Sequence, residues 1–161
     1  MPWILRDKVL APAEEITISY GGPNPFQAYK IVMKTIDLRL GIPSKDIFED
    51  EFKWDITADP RDFYVKIRVR KSFDAFSKGW VYIVLRGKQP TDPEKPGNLT
   101  VELSGELVTE FKVDGWKMVL IPFVYLYHLV FYRTQRKRYI DEVKSYIFIF
   151  EDEIRTTFKL K

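Results

Sequence analysis

The last forty residues, Pro122 to Lys161, contain no glycine, and proline only at the first position. Nothing in them breaks a helix once it has started. Pro122 itself suits a first helical turn, where its fixed φ fits and a backbone N–H would have no partner. From Ile140 the apolar residues fall at Ile140, Val143, Ile147, Phe150 and Ile154, alternating steps of three and four that line one face of a helix. That face needs a cover. The earlier part, Phe123 to Tyr132, is apolar on every side, which demands burial on several sides, a second molecule, or lipid. A helix from Pro122 to Leu160 would be about 58 Å long, against a diameter of about 40 Å for a compact chain of this length. The sequence therefore predicts a helix over 122–161 that projects from its domain. Ile147, Phe150, Ile154 and Phe158 would be on view for a second copy or a partner, in preference to a bend at Arg133–Arg138.

Upstream, the periodicity changes. Ile16 and Ile18 alternate with polar neighbours in Glu15–Tyr20, which is the pattern of a half-buried strand ended by Gly21-Gly22-Pro23. Asn24 as N-cap and Pro25 at the first position then predict a helix whose stripe is Phe26, Tyr29, Met33, Ile36 and Leu40, closed by Gly41. Further strands are read at Ile47–Thr57, Phe63–Lys71, Trp80–Leu85 and Leu99–Lys112. Trp80–Leu85 is apolar in both registers, so a central strand covered on both faces is expected. Gly105, in the middle of the longest strand, suggests a bulge or bend. Asp114-Gly115 reads as a hairpin turn, with Trp116–Ile121 as the returning strand. The fold class is α+β: a curled antiparallel sheet of about six strands packed on a long C-terminal helix, with one shorter N-terminal helix.

Composition removes several chemistries. The 161 residues suffice for one domain with a core. With no cysteine, disulfides, thiolate zinc sites and thiol nucleophiles are excluded; with a single histidine, neither a histidine-rich metal site nor a histidine-centred triad is expected, and no metal or cofactor is implied. A net charge of +3 does not point to nucleic acid. The amino terminus has only a short apolar cluster before Arg6, Asp7 and Lys8, so no signal peptide is read and a cytoplasmic protein is expected. The uncharged run Met118–Tyr132 would cover about 22 Å as a helix, short of a hydrocarbon core of about 30 Å.

The order strand, helix, five strands, long helix resembles the helix-grip fold of START-like and polyketide-cyclase-like proteins, over residues 15–160. The family usually has a second helix and a seventh strand, which are not read here. The resemblance implies a hydrophobic small molecule or lipid held between sheet and long helix; some members of the fold are enzymes, but no acid or base can be named here, so a non-enzymatic binding module is expected. The side chains that would face such an interior are Trp54, Phe63, Val65, Leu103, Leu107, Phe111, Leu126, His128 and Val130.

No acid, base or nucleophile can be placed beside His128, so it reads as a satisfied, partly buried side chain. Tyr125, Tyr127, Tyr132, Tyr139 and Tyr146 give the helix polar tips suited to core packing, to a ligand, or to a headgroup boundary. Arg133, Arg136, Lys137 and Arg138 form the densest basic cluster, and Lys66, Arg68, Arg70 and Lys71 lie on one strand face. Both read as solvated faces, with the phosphates of nucleic acid or of anionic lipid as the sharper alternative. Glu102, Glu106 and Glu110 alternate along one strand, where cross-strand arginines and lysines can pair with them. Two further functions stand beside ligand binding: self-association or partner docking through the C-terminal helix, and peripheral membrane attachment through 118–138.

Overall fold

The alternating segments join into one antiparallel sheet of six strands. The computed structural model describes residues 2–112 and 115–161. In it the strands are β1 (Pro2–Lys8), β2 (Ile16–Gly22), β3 (Ile47–Trp54), β4 (Arg61–Ser72), β5 (Ser77–Gln89) and β6 (Gly97–Lys112). They lie in the order β3-β4-β5-β6, and the far edge of β6 is shared end to end by β1 and β2. β1 takes Glu106–Lys112 and β2 takes Gly97–Leu103. The α+β class with a long helix against this sheet is the architecture that the periodicities imply.

One face carries the core. Val65, Ile67, Val69, Val81, Ile83, Leu85, Val101, Leu103 and Leu107 alternate inward and are buried. Across from them lies α3 (Arg133–Thr157), which buries Val143, Ile147, Phe150 and Ile154. Moving apolar side chains such as these out of water contributes about 1.5–3 kcal/mol each, so this layer dominates the stability of the fold. The helix α1 (Gln27–Thr35) packs beside α3 through Ala28, Val32 and Thr35. It continues as a π-helical turn, Ile36–Leu40, closed by Gly41 at φ +57°. Asn24 is not its cap: Asn24 and Pro25 form a preceding turn whose carbonyls accept the N–H groups of Gln27 and Ala28, both at 3.2 Å.

Several sequence expectations change. Trp116–Ile121 is not a strand: β1 takes one edge of β6 as far as Lys112, and β5 with the Phe76 carbonyl takes the other as far as Glu110. With little edge left to pair, Gly115–Leu120 winds as a 3₁₀ helix; Asp114 of the expected hairpin lies outside the described residues. The sixth strand is instead β1, at the amino terminus. β5 is central but covered on one face only: Val81, Ile83 and Leu85 are buried, while Trp80, Tyr82 and Val84 are half-buried on the other. There Trp80 lies beside Phe48 and beneath the guanidinium groups of Arg68 and Arg70. Gly105 is not a bulge, since the register with β5 runs through it unbroken. It makes room for α3: a β-carbon there would lie 2.9 Å from Ile147 Cδ1.

The C-terminal segment is not one straight helix. α2 (Ile121–Val130) and α3 are separated at Phe131-Tyr132, and the helical path turns there by 59°. The expected projection is overturned, because the stripe Val143–Ile154 lies on the domain's own sheet. The segment that does stand out is the earlier one, from Gly115 to Phe131.

Candidate functional site

α2 has almost no inner face. Of its ten residues only His128 is buried, at 5 % exposure, and Val124 is partly covered. Phe123 at 70 %, Leu126 at 55 %, Val130 at 56 % and Phe131 at 71 % stand in solvent, as do Tyr125, Tyr127 and Leu129. At 3.6 residues per turn these exposed side chains spread over about two-thirds of the helix circumference. Trp116, Met118, Val119 and Leu120 extend the apolar surface along the 3₁₀ turn. Isolated exposed hydrophobes are ordinary, but a contiguous run of this kind is not.

Charge brackets this spine with one sign. From Gly115 to Ile140 there is no Asp or Glu. Arg133, Lys137 and Arg138 are exposed at the start of α3. Arg136 turns inward instead and pairs with Asp7 of β1, tying the start of α3 to the sheet edge.

The inner side of α2 rests on aromatic rings. His128 lies 3.8 Å from Phe111 and 4.8 Å from Tyr132, centroid to centroid. Trp3 of β1 meets both Phe111 and Tyr125, at 5.5 and 5.7 Å. Burial pushes the His128 imidazole below its ordinary pKa, against a weaker upward pull from Asp74, so it is neutral near pH 7.

Beside the rings is a polar knot that holds the bend. The Asp74 carboxylate accepts the N–H groups of Phe76 and Ser77, at 2.8 and 2.7 Å, and the hydroxyls of Tyr139, at 3.0 Å, and Tyr132. Ser77 Oγ lies 3.1 Å from both Thr109 Oγ1 and Tyr132 Oη. Burial disfavours the charge on Asp74, yet the bonds from Tyr132, Phe76, Ser77 and Tyr139 together hold its carboxyl below the ordinary range. Burial, followed by the bond to Asp74, pushes the Tyr132 phenol up. The knot thus joins an anion to neutral hydroxyls, an anchor and not an acid–base pair.

A groove of about 500 Å³ opens between α2 and the sheet end, bounded by Phe76, Phe111, Phe123, Val124, Tyr127, His128 and Tyr132, with Lys112 and Lys117 among its walls.

The residues expected to line one interior divide into two groups. Phe63, Val65, Leu103 and Leu107 are buried, with Phe63, Val65 and Leu103 in the core beneath the helices, and Trp54 packs there at the edge beside Phe26 and Phe63. Phe111 and His128 face the groove. Leu126 and Val130 face solvent, because α2 turns away from α3 and puts them on its outer side; they line no interior. Nor is there a gap beneath α3 at its closest approach: a β-carbon on Gly79 would lie 2.4 Å from Val143 Cγ2, and one on Gly105 2.9 Å from Ile147 Cδ1.

Four of the other charged candidates are occupied. Arg68 and Arg70 pair with Asp50 and Asp46, each at 2.6 Å. Glu106 accepts from Arg6 at 2.9 Å and from the Tyr82 hydroxyl at 2.7 Å, and Glu102 pairs with Arg86. Among the described residues no cluster of His, Asp and Glu could hold a metal ion, and no single helix is long and apolar enough to cross a membrane. Phe76, Lys112, Lys117 and Asp74 were not singled out in the sequence. The only local signal is the short Phe73–Phe76 loop, with one carboxylate between aromatics. No protein-family model matches the chain, and no curated protein matches it.

Proposed function

We propose that this protein docks on an anionic membrane surface. The exposed apolar side chains Phe123, Leu126, Leu129, Val130 and Phe131 would lie among the acyl chains, and Lys117, Arg133, Lys137 and Arg138 at the headgroups. The observation that supports this reading best is the exposure of apolar side chains over about two-thirds of the circumference of α2. A protein partner covers one face of a helix, whereas lipid covers every face that the domain leaves open. Each large apolar side chain taken out of water contributes about 1.5–3 kcal/mol, and each surface cation about 1 kcal/mol near anionic lipid. Tyr125, Tyr127 and Trp116 suit the boundary between headgroup and hydrocarbon.

Immersion alongside the bilayer fits better than crossing it. Both ends of the spine return to one domain, through β6 and through α3, and His128 and Tyr125 keep α2 against Phe111 and Trp3. The helix-grip resemblance supplied a different expectation, a hydrophobe between sheet and long helix. The close approach of α3 at Gly79 and Gly105 leaves that layer filled there.

Co-sedimentation with vesicles tests the reading. The chain should bind vesicles rich in anionic lipid far more tightly than zwitterionic ones, with affinity falling as salt rises. Leu126→Asp with Phe131→Asp, both on the outer side of the spine, should abolish binding without changing thermal stability. Loss of a stable dimer in that variant, with no vesicle binding by the parent, would show instead that a second copy covers the spine.

A further inference from the structure

We propose that the turn between β4 and β5, Phe73–Phe76, is a second point of contact with the anionic membrane, so that the protein docks with this end of its sheet facing the lipid. The inference rests on the docking proposed above. It adds a surface and an orientation that the spine alone does not give.

The turn and the spine share one end of the molecule. Ser72 at the end of β4 lies opposite Lys78 of β5, and Ser77 lies opposite Thr109 of β6. Lys112 ends β6, shortly before the 3₁₀ turn that opens the spine. Asp74 ties the β4–β5 turn to the bend between α2 and α3, through the hydroxyls of Tyr132 and Tyr139. Turn and spine are therefore held in a fixed relation. At the tip Ala75 is exposed and Phe76 is 46 % exposed. A lone half-exposed phenylalanine would need no explanation. Phe76, however, borders the same groove as Phe123 and Val124 of α2, so its ring continues the apolar surface of the spine beyond the helix.

Charge gives the orientation. On the other side of Phe76, Lys78 and Lys112 are exposed along one depression, with Glu110 the one acid beside them. Asp74 faces the tyrosine knot. By sequence, residues 71–78, 110–120 and 133–138 hold eight Lys or Arg against three Asp or Glu. The opposite end of the sheet has the other sign: the turns at 55–60 and 90–96 hold four Asp or Glu and one Lys. The two ends are about 35 Å apart along β4, several times the screening length of about 8 Å at physiological salt. The acidic end therefore does not cancel the attraction of the basic end, and it opposes docking the other way round.

A chain without cysteine can be labelled at chosen points. Ala75→Cys, Leu126→Cys and Glu94→Cys, the last exposed in the far turn, each carry an environment-sensitive fluorophore. With vesicles rich in anionic lipid, the labels at Leu126 and Ala75 should both shift to the blue and be quenched by nitroxide-bearing lipid, while the label at Glu94 stays unchanged. Lys78→Gln should weaken vesicle binding about fivefold, the contribution of one cation near anionic lipid; Lys95→Gln, in the far turn, should bind like the parent. If Leu126 responds and Ala75 stays in water, the second contact is wrong and docking through the spine stands. If neither responds, both are wrong. Equal losses in the two lysine variants would contradict the orientation.

Discussion

Val143 sits directly over Gly79, so close that a β-carbon on the glycine would lie 2.4 Å from Val143 Cγ2. The long helix therefore rests on backbone, and its height above the sheet is set by two residues without side chains, Gly79 and Gly105. This contact separates a filled core beneath α3 from the open groove beside α2.

Adding a methyl at that contact should be costly. Gly79→Ala is expected to destabilise the protein by about 1–3 kcal/mol, the usual penalty for overpacking. In a Val143→Ala background the same change should cost less, because the closer of its two contacts is gone and only Phe73 Cε2, at 2.9 Å, still opposes it. Urea unfolding of the four members of this double-mutant cycle measures the coupling. Strictly additive effects would mean that α3 does not press on the strand at this point.

Asp74 should make the bend acid-sensitive. Its carboxyl is held below the ordinary value of 3.8 in the folded state, so the unfolded chain takes up the proton first. Its contribution is complete above about pH 4 and is lost as pH falls through the lower folded value. Asp74→Asn should cost about 1–3 kcal/mol at neutral pH, since the bonds from Phe76 N–H, Ser77 N–H and the two tyrosine hydroxyls lose their charged acceptor. It should also flatten the acid limb of the stability curve. Chemical unfolding at a series of pH values reads both effects.

His128 should act in a higher window. Burial lowers its folded pKa below the ordinary 6.5, so its contribution is present above about pH 6.5 and declines as pH falls below that value. His128→Phe keeps a ring against Phe111 and Trp3 and removes the titrating group. The melting temperature of the parent should fall more than that of the variant between about pH 7.5 and about pH 5.5. Identical slopes would place the imidazole in contact with water in the folded protein.

Much of the sheet was legible because alternation is local: Phe63, Val65, Ile67 and Val69 declare their inward face without reference to any partner. The stripe Val143–Ile154 was equally plain as a helix face, but its partner was not, because the glycines that receive it lie on distant strands. The bend at Phe131-Tyr132 has no glycine or proline to announce it. It coincides with Tyr132 binding Asp74 and Ser77, residues 58 and 55 positions away in the chain. β1 was missed because its edge position leaves Ile4 in solvent and only half-buries Trp3 and Leu5. For the site, the apolar run and the basic cluster were readable. The groove was not, because Phe76, Lys112 and Lys117 come from a loop, a strand end and a 3₁₀ turn.

Membrane docking through the spine can be measured at a single point, because the chain has no cysteine. A nitroxide at Leu126→Cys, on the outer face of α2, reports its surroundings by its collision rates with oxygen and with a water-soluble nickel chelate. Leu38→Cys, exposed on the π-helical turn, serves as the reference. On adding anionic vesicles, the label at Leu126 should gain oxygen accessibility and lose nickel accessibility, while the label at Leu38 stays in water. If the label at Leu126 stays as accessible to nickel as the one at Leu38, with vesicles in excess, the spine does not enter lipid and the account is wrong.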